Sequence, residues 1–241
     1  MHQLCTITAY LALVFANLLF ATTVTLLATV ERRGTLWWPM ARLWGRTIYA
    51  GAWSRIRPVG FEQLDWDQPC ILMANHESYM DVPALIAACP VPIRFVARRE
   101  VFKTPILGQA MWMTGQISVD RSDRERSIKS LDRAAKKIAS GRTVLVFPEG
   151  TRTPDGGLQS LKKGGFMLAI QAQVPIIPIG VSGTRSIVPR GANMFRPATV
   201  GIVVGSPIET AGMTADDRDD LMAQVHAALV EQRDLAADVC A

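Results

Sequence analysis

Cysteine and histidine are scarce in this sequence, and their scarcity excludes several kinds of site. The four cysteines, at positions 5, 70, 89 and 240, form no Cys-x-x-Cys pair. They therefore indicate neither a disulfide framework nor a zinc site, and they are typical of a reducing compartment. Of the three histidines, His2 and His226 have no partner at a metal-ligand spacing, so no metal site is predicted.

The signature loops of serine hydrolases and nucleotide-binding proteins are missing as well. The nucleophile elbow Gly-x-Ser-x-Gly is absent, and residues 180–184 (Gly-Val-Ser-Gly-Thr) only approximate it. The sequence contains no phosphate-binding loop, no internal repeat and no low-complexity segment. These absences count against an esterase and predict that no cofactor is bound.

Charge is absent from residues 3–30, and the core of this stretch, Leu11–Ala21, is almost wholly apolar. About 20 apolar residues span a bilayer as a helix, so the length suffices. A signal peptide would need a positive n-region and a small-residue cleavage site, and neither is clear. A buried helix of a soluble protein would rarely run this long without charge. We therefore predict a membrane helix, spanning or steeply embedded.

Positive charge is concentrated directly after this helix. The chain of 241 residues has a net charge of +5, and residues 31–57 hold six arginines and one acidic residue, so the remainder is balanced. Binding to nucleic acid would need a basic stripe in the folded domain, and none is visible, so no nucleic-acid partner is predicted. Arginines beside a membrane helix suit anionic lipid headgroups and place that end of the helix on the cytoplasmic face.

Tryptophan and arginine alternate at helical spacing within residues 35–56, where four of the six tryptophans lie. This pattern is typical of a helix in the membrane interface. The alternative is a helix packed on the domain with its tryptophans in the core, and both can hold for different faces. We predict two parts: residues 1–57, a membrane helix plus an interfacial helix, and residues 58–241, a second domain.

From Pro58 onward, β-rich runs alternate with helical patterns. The last predicted helix has Thr214 as its N-cap and Asp217 at the capping-box position. The alternation predicts an α/β fold with a mixed, largely parallel sheet covered by helices on both faces. The predicted strands are 70–74, 93–97, 116–119, 143–147, 175–181 and 199–204, and the predicted helices are 127–140, 163–173 and 214–233.

His76 and Asp81 lie five residues apart, just after the predicted strand 70–74. On a straight helix this spacing would separate them around the axis, so they meet only if the chain turns between them. A turn at 75–79 and a helix beginning near Asp81 would bring the carboxylate to the imidazole, which could then accept a proton. The alternative is a capped helix start with an incidental histidine.

A second motif, Phe-Pro-Glu-Gly-Thr-Arg at 147–152, favours a functional role for His76 and Asp81 over an incidental histidine. Together, Asn75-His76-x4-Asp81 and this hexapeptide resemble the glycerolipid acyltransferase family, and within it the bacterial 1-acylglycerol-3-phosphate acyltransferases. The resemblance runs from about Arg57 to Pro207. It implies that His76, assisted by Asp81, deprotonates the acceptor hydroxyl, which attacks an acyl thioester directly.

The resemblance also implies the partners. We expect lysophosphatidate as acceptor, phosphatidate as product, and acyl-coenzyme A or acyl carrier protein as donor, with no further cofactor. The expected location is the inner (cytoplasmic) membrane, with the catalytic domain on its cytoplasmic face and in contact with membrane lipids. Alternatives are an O-acyltransferase of another lyso-lipid, such as a lyso-aminolipid or lysophospholipid, and a non-catalytic membrane lipid-binding protein. The presence of both His76 and Asp81, hereafter the dyad, argues against a non-catalytic protein.

Several further residues are implied at the substrate site. Arg152 offers the planar fork that suits a phosphate, and Gly150 permits the tight turn before it. Glu149 is expected to bond the glycerol or to orient Arg152, although an isolated Glu/Arg pair is more often a surface salt bridge. Ser78 is interpreted as a donor that shapes the turn, since no acyl-enzyme is needed. The expected substrate-binding set is Asn75, Ser78, Arg99, Arg121, Glu149, Gly150, Thr151 and Arg152.

Two further motifs of the family can be matched to this sequence in more than one way. Arg98 and Arg99 both fit the basic position of the family's second block, which closes with Asp120-Arg121. Residues 174–180 resemble the block assigned to the acyl donor, or form a plain edge strand. Because the acceptor is a lipid, we expect the dyad and Arg152 at one edge of the sheet, on the side where residues 35–56 pack.

Overall fold

A single seven-stranded sheet organises the chain in a computed structural model that describes residues 1–119, 133–138, 140–189 and 191–240. Its order is β1-β7-β6-β2-β5-β3-β4, and neighbouring strands are parallel except β6 and β7. The predicted mixed, largely parallel sheet is confirmed. The strands are β1 (Arg55–Val59), β2 (Ile71–Ala74), β3 (Ile93–Arg98), β4 (Ile117–Val119), β5 (Thr143–Val146), β6 (Ile176–Ser182) and β7 (Thr199–Val204).

Helices cover both faces of this sheet, as the alternating pattern predicted. Of the predicted helix 127–140, only residues 133–138 and 140 are described, and 133–138 are helical. The last helix begins after the predicted cap, where Thr214 and Asp217 form a capping box. The helices are α1 (His2–Val30), α2 (Trp38–Gly51), α3 (Asp81–Ala88), α4 (Leu107–Met113), α5 (133–138), α6 (Lys163–Ala172), α7 (Thr184–Ile187) and α8 (Arg218–Cys240).

Side chains alternate between the two faces along each central strand. In β2, Leu72 contributes to a core shared with α1, α2 and α3, whereas Met73 contributes to a second core shared with α5, α6 and α8. Both side chains are fully buried, as expected for strands in the middle of a parallel sheet. Because β2 to β6 run in the same direction, their carboxyl ends meet at one edge, which becomes the site.

The N-terminal helix α1 packs on α2 along one flank and leaves the other exposed. Small residues such as Ala9 and Ala16 are buried on the packed flank, and the Thr8 hydroxyl donates to the Gly51 carbonyl at 2.7 Å. The opposite flank exposes large apolar side chains, including Leu11 and Leu26 at 64% each. The helix is 29 residues long and apolar enough to cross a membrane, by length and composition.

Helix α2 is shorter than the pattern predicted. It ends at Gly51, and Arg55 begins strand β1, which pairs in parallel with β7. The prediction of a helix to Ile56 was wrong because β1 is a largely exposed edge strand without the alternation that reveals a half-buried one.

The tryptophans of the α2 region divide between core and surface. Trp37 and Trp38 are buried, so the alternative that places tryptophans in the core is correct for these two residues. Trp53 is 42% exposed. The helix crosses α3 closely at Gly45, where an added Cβ would lie 2.4 Å from the Pro83 carbonyl oxygen. This contact places α2 beside the helix that begins at Asp81.

Candidate active site

The predicted turn between β2 and α3 brings His76 and Asp81 together. His76 Nδ1 lies 2.6 Å from Asp81 Oδ2, and Asp81 is the first residue of α3. The imidazole is 18% exposed and the carboxylate is fully buried. The ring also stacks on Phe147, with centroids 4.0 Å apart. These contacts fix the ring and leave Nε2 as the nitrogen that does not face Asp81.

Backbone amides hold the carboxylate of Asp81 in place. Oδ2 accepts hydrogen bonds from the amides of Glu77 and Ser78 at 2.8 and 2.9 Å, in addition to its contact with the ring. Because a carboxylate oxygen accepts the hydrogen bond, Nδ1 is the ring nitrogen that donates it, and Nε2 is left as the acceptor nitrogen.

The second motif joins the first through two backbone contacts at His76. Its amide donates to Glu149 Oε1 at 2.7 Å, and its carbonyl accepts from the Thr153 amide at 2.8 Å. Glu149 Oε2 accepts from the Gln159 amide at 2.9 Å. Both oxygens of this buried side chain are therefore engaged with the protein backbone, and burial raises the pKa of the Glu149 carboxyl. Glu149 anchors the loop that carries the imidazole.

Arg152 emerges at the mouth of the site. Its guanidinium carbon lies 3.4 Å from the centre of the Tyr79 ring, and Tyr79 is 72% exposed. An arginine stacked on an aromatic face retains its in-plane N–H donors for a ligand. The tyrosine belongs to the loop between His76 and Asp81, so the cation and the base are held on adjoining loops.

Other predicted site residues have mainly architectural contacts. The Asn75 side chain bonds both the amide and the carbonyl of Val181, at 2.7 and 2.8 Å, and so joins the ends of β2 and β6. The Ser78 hydroxyl accepts from the Met80 amide at 3.3 Å and lies 3.4 Å from the Val188 carbonyl. The bond within the turn uses the Ser78 hydroxyl as an acceptor, whereas the sequence predicted a donor.

The remaining members of the predicted set lie at the rim or outside the described residues. Gly150 has φ of +74°, in the region that favours glycine, and permits the turn from β5 into the motif. Thr151 is exposed. Arg99 is exposed at the carboxyl end of β3, at the same edge as the dyad. Arg121 lies outside the described residues, and its role stays a prediction.

Comparison with known proteins agrees with the resemblance seen in the motifs. The acyltransferase family model matches residues 55–182, more than half of the chain. The chain belongs to this acyltransferase family. A 1-acyl-sn-glycerol-3-phosphate acyltransferase of Chlamydomonas reinhardtii is 38% identical over 139 residues, 57% of this chain and 42% of its own length. The human 1-acyl-sn-glycerol-3-phosphate acyltransferase alpha is 31% identical over 186 residues, 76% of this chain and 66% of its own.

The fold is shared with a solved member. The crystal structure of the 1-acyl-sn-glycerophosphate (LPA) acyltransferase PlsC from Thermotoga maritima superposes with a TM-score of 0.83 at 24% identity, covering 99% of this chain and 95% of that one. The plant and algal relatives are longer, and the chain spans about half of their length.

Sequence reasoning missed two residues of this acyltransferase-family site. Thr184, the first residue of α7, donates its hydroxyl hydrogen to Asp81 Oδ1 at 2.5 Å and is fully buried. Glu77 lies inside the first motif, yet its side chain is buried next to Asp81. A charged residue placed between two functional ones was a usable signal for Glu77. No local pattern could link Thr184 to a residue 103 positions earlier.

Proposed function

We propose that this chain transfers a fatty acyl group from an acyl thioester to the sn-2 hydroxyl of 1-acylglycerol-3-phosphate, giving phosphatidate. The observation that carries this proposal is the His76–Asp81 contact of 2.6 Å at the sheet edge, beside the cation of Arg152. All three residues lie within the family match, and relatives named for this activity align with the chain.

The proposed reaction needs no acyl-enzyme. Nε2 of His76 takes the proton of the acceptor hydroxyl while that oxygen attacks the thioester carbonyl carbon. Collapse of the tetrahedral intermediate breaks the carbon–sulfur bond, and the departing thiolate takes the proton back from the imidazolium. Asp81 holds the tautomer and stabilises the transient positive charge.

The acceptor is proposed from the charge at the mouth of the site. A phosphate monoester offers several oxygens to the fork of Arg152, whose charge-assisted hydrogen bonds are stronger than neutral ones. Stacking on Tyr79 limits the positions that the guanidinium can adopt, which reduces the entropy lost on binding. Arg121 remains a second proposed phosphate ligand.

The membrane setting is proposed from the N-terminal helices. The exposed apolar flank of α1 would bury its leucines in lipid, and the arginines of residues 31–57 would face anionic headgroups. Tyr49 of α2 donates its hydroxyl hydrogen to the Met80 carbonyl at 3.0 Å. This bond connects helices α1 and α2 to residues 75–81, the dyad loop. We infer attachment to the inner membrane, with the site on its cytoplasmic face.

An acceptor panel tests the proposal. Purified full-length protein in nanodiscs is given acyl-coenzyme A or acyl carrier protein thioester with lysophosphatidate, a lysophospholipid, a lyso-aminolipid or monoacylglycerol. We expect phosphatidate to be the main product and monoacylglycerol, which lacks phosphate, to react poorly. Faster acylation of another lyso-lipid would replace the proposed acceptor, and no transfer to any of them would refute acyl transfer.

A further inference from the structure

The carboxylate of Asp81 is held by donors on both of its oxygens. Oδ2 takes the imidazole and two backbone amides, whereas Oδ1 takes the Thr184 hydroxyl. The three contacts at Oδ2 already restrain rotation of the carboxylate about the bond to its own Cβ. The hydroxyl at Oδ1 restrains the second oxygen as well, and so narrows further the direction of the lone pair that Oδ2 presents to Nδ1.

Thr184 is well placed for this task because its own position is rigid. It directly follows the turn at Gly183, after the end of β6, and β6 pairs with both β2 and β7. The side chain is fully buried, so water does not compete for the hydroxyl. The dyad loop and α7 come from distant parts of the sequence, and this hydrogen bond joins them directly.

A second carboxyl faces the same hydroxyl. Glu77 is 8% exposed, and its side chain meets the Thr184 hydroxyl and the Arg185 backbone amide. The charged and titratable groups around it are Asp81 on α3, Arg233 on α8 and Tyr49 on α2. Burial, followed by the repulsion of Asp81, raises the pKa of Glu77 to about 7. Glu77 therefore changes charge near neutral pH.

We propose that Thr184 and Glu77 are positioning residues for the dyad, with Thr184 orienting Asp81 and Glu77 controlling whether the Thr184 hydroxyl hydrogen is available for that bond. A threonine hydroxyl has one hydrogen to donate. Protonated Glu77 can itself donate to the threonine oxygen, and Thr184 then donates to Asp81. Ionised Glu77 competes with Asp81 for the same hydrogen, and the dyad loses its orientation in part of the population.

The catalytic consequence rests on the proposed function, but the geometry can be tested without it. In full-length protein, the proton between Nδ1 of His76 and Asp81 should give a low-field imidazole NMR signal, assigned by its loss in His76→Ala. We expect this signal to weaken in Thr184→Val, and we expect its change between pH 6 and 8 to be smaller in Glu77→Gln than in the wild type. If Thr184→Val leaves the signal and its pH dependence unchanged, the positioning role is refuted.

Kinetics supply the second readout. Thr184→Val keeps the shape of the side chain but removes the hydroxyl, so kcat should fall about 10- to 100-fold, as for the loss of a hydrogen bond to a charged group, with KM for both substrates unchanged. Thr184→Ser should restore most of kcat. The matched control is Thr210→Val, another fully buried threonine whose hydroxyl bonds the Ala169 and Val174 carbonyls away from the site. An equal loss in this control would mean a structural effect only.

The pH profile tests Glu77 itself. Wild-type kcat should fall partially above about pH 7, as Glu77 ionises. Glu77→Gln retains a neutral donor beside Thr184, so the upper fall should disappear. The same fall in both proteins would refute the role of Glu77. Absence of acyl transfer in the wild type, with the NMR behaviour as expected, would refute the proposed function and leave the positioning network standing.

Discussion

The dyad loop and the N-terminal helix are stabilised in opposite ways. In the loop, the backbone and side chains of residues 75–81 are tied by hydrogen bonds to residues from three other parts of the chain, including Glu149, Val181 and Thr184. In α1, small residues on one flank pack on α2, while large apolar residues on the other flank stay exposed within the part of the chain that the structure describes. The loop is held by contacts inside the protein, whereas the exposed flank of the helix is the surface that we propose to contact lipid.

This contrast would allow the proposed reaction of a lipid substrate to take place at the edge of the sheet. The base must be held to a fraction of an ångström, which hydrogen bonds between buried groups achieve. The substrate must leave a bilayer, which requires an apolar surface beside the site. Tyr49 joins the two regions through its bond to the Met80 carbonyl.

The largest effects on kcat should come from substitutions of His76 and Asp81. His76→Ala removes the base, and we expect kcat to fall by at least about 10³-fold with the fold and vesicle binding retained. Asp81→Asn should cost less, though still about 10²-fold or more, because the amide can no longer enforce the tautomer. Single-turnover acyl transfer and circular dichroism would check both. Near-normal turnover by folded His76→Ala would refute the mechanism.

A large effect on both stability and rate is expected at Glu149. Its two oxygens accept the His76 and Gln159 amides, and glutamine at this position has a single acceptor oxygen. Glu149→Gln should therefore leave one partly buried amide unpaired and lower the free energy of unfolding by about 1–3 kcal/mol. Denaturant titration measures this loss, and the imidazole signal reports the displaced loop. Glu209→Gln, at an exposed glutamate outside the site, is the control.

The sequence was a good guide wherever a pattern is local. Strand β7 has the predicted bounds, and the turn from His76 to Asp81 follows from their spacing. The interactions that complete the site were not local. Glu149 was expected to bond the glycerol or to orient Arg152. In the structure both of its oxygens accept backbone amides instead, because a buried carboxylate is most easily satisfied by amides that are already fixed. Strand β1 and Thr184 depend on partners far away in the chain.

A smaller, substrate-selective effect is expected at the mouth of the site. Arg152→Ala should raise KM for lysophosphatidate about 10- to 100-fold, the equivalent of a lost charge-assisted hydrogen-bond pair, with little change in KM for the thioester. Arg152→Lys should recover part of the loss, since lysine keeps the charge but not the fork. Steady-state kinetics with each substrate varied in turn measures the split. An equal loss with a phosphate-free acceptor would show that Arg152 does not bind phosphate.

The smallest effects should come from substitutions in the N-terminal helices, because many weak contacts would contribute to membrane binding there. Replacing Leu11, Leu18 and Leu26 by glutamine reduces the exposed apolar flank without touching its packed one. Replacing Arg32, Arg33 and Arg46 by glutamine removes exposed charges at the proposed headgroup level. Apolar burial resists salt, whereas attraction to anionic lipid decays over a Debye length of about 8–10 Å and weakens with salt.

Vesicle co-sedimentation of full-length proteins across a salt series separates the two contributions. The wild type should remain bound at high salt, and the leucine variant should bind anionic vesicles at low salt but dissociate as salt rises. The arginine variant should bind neutral and anionic vesicles equally, since each arginine near an anionic surface contributes about 1 kcal/mol. If the leucine variant stays bound at high salt, the exposed flank of α1 is not the membrane anchor, and the exposed leucines need another partner.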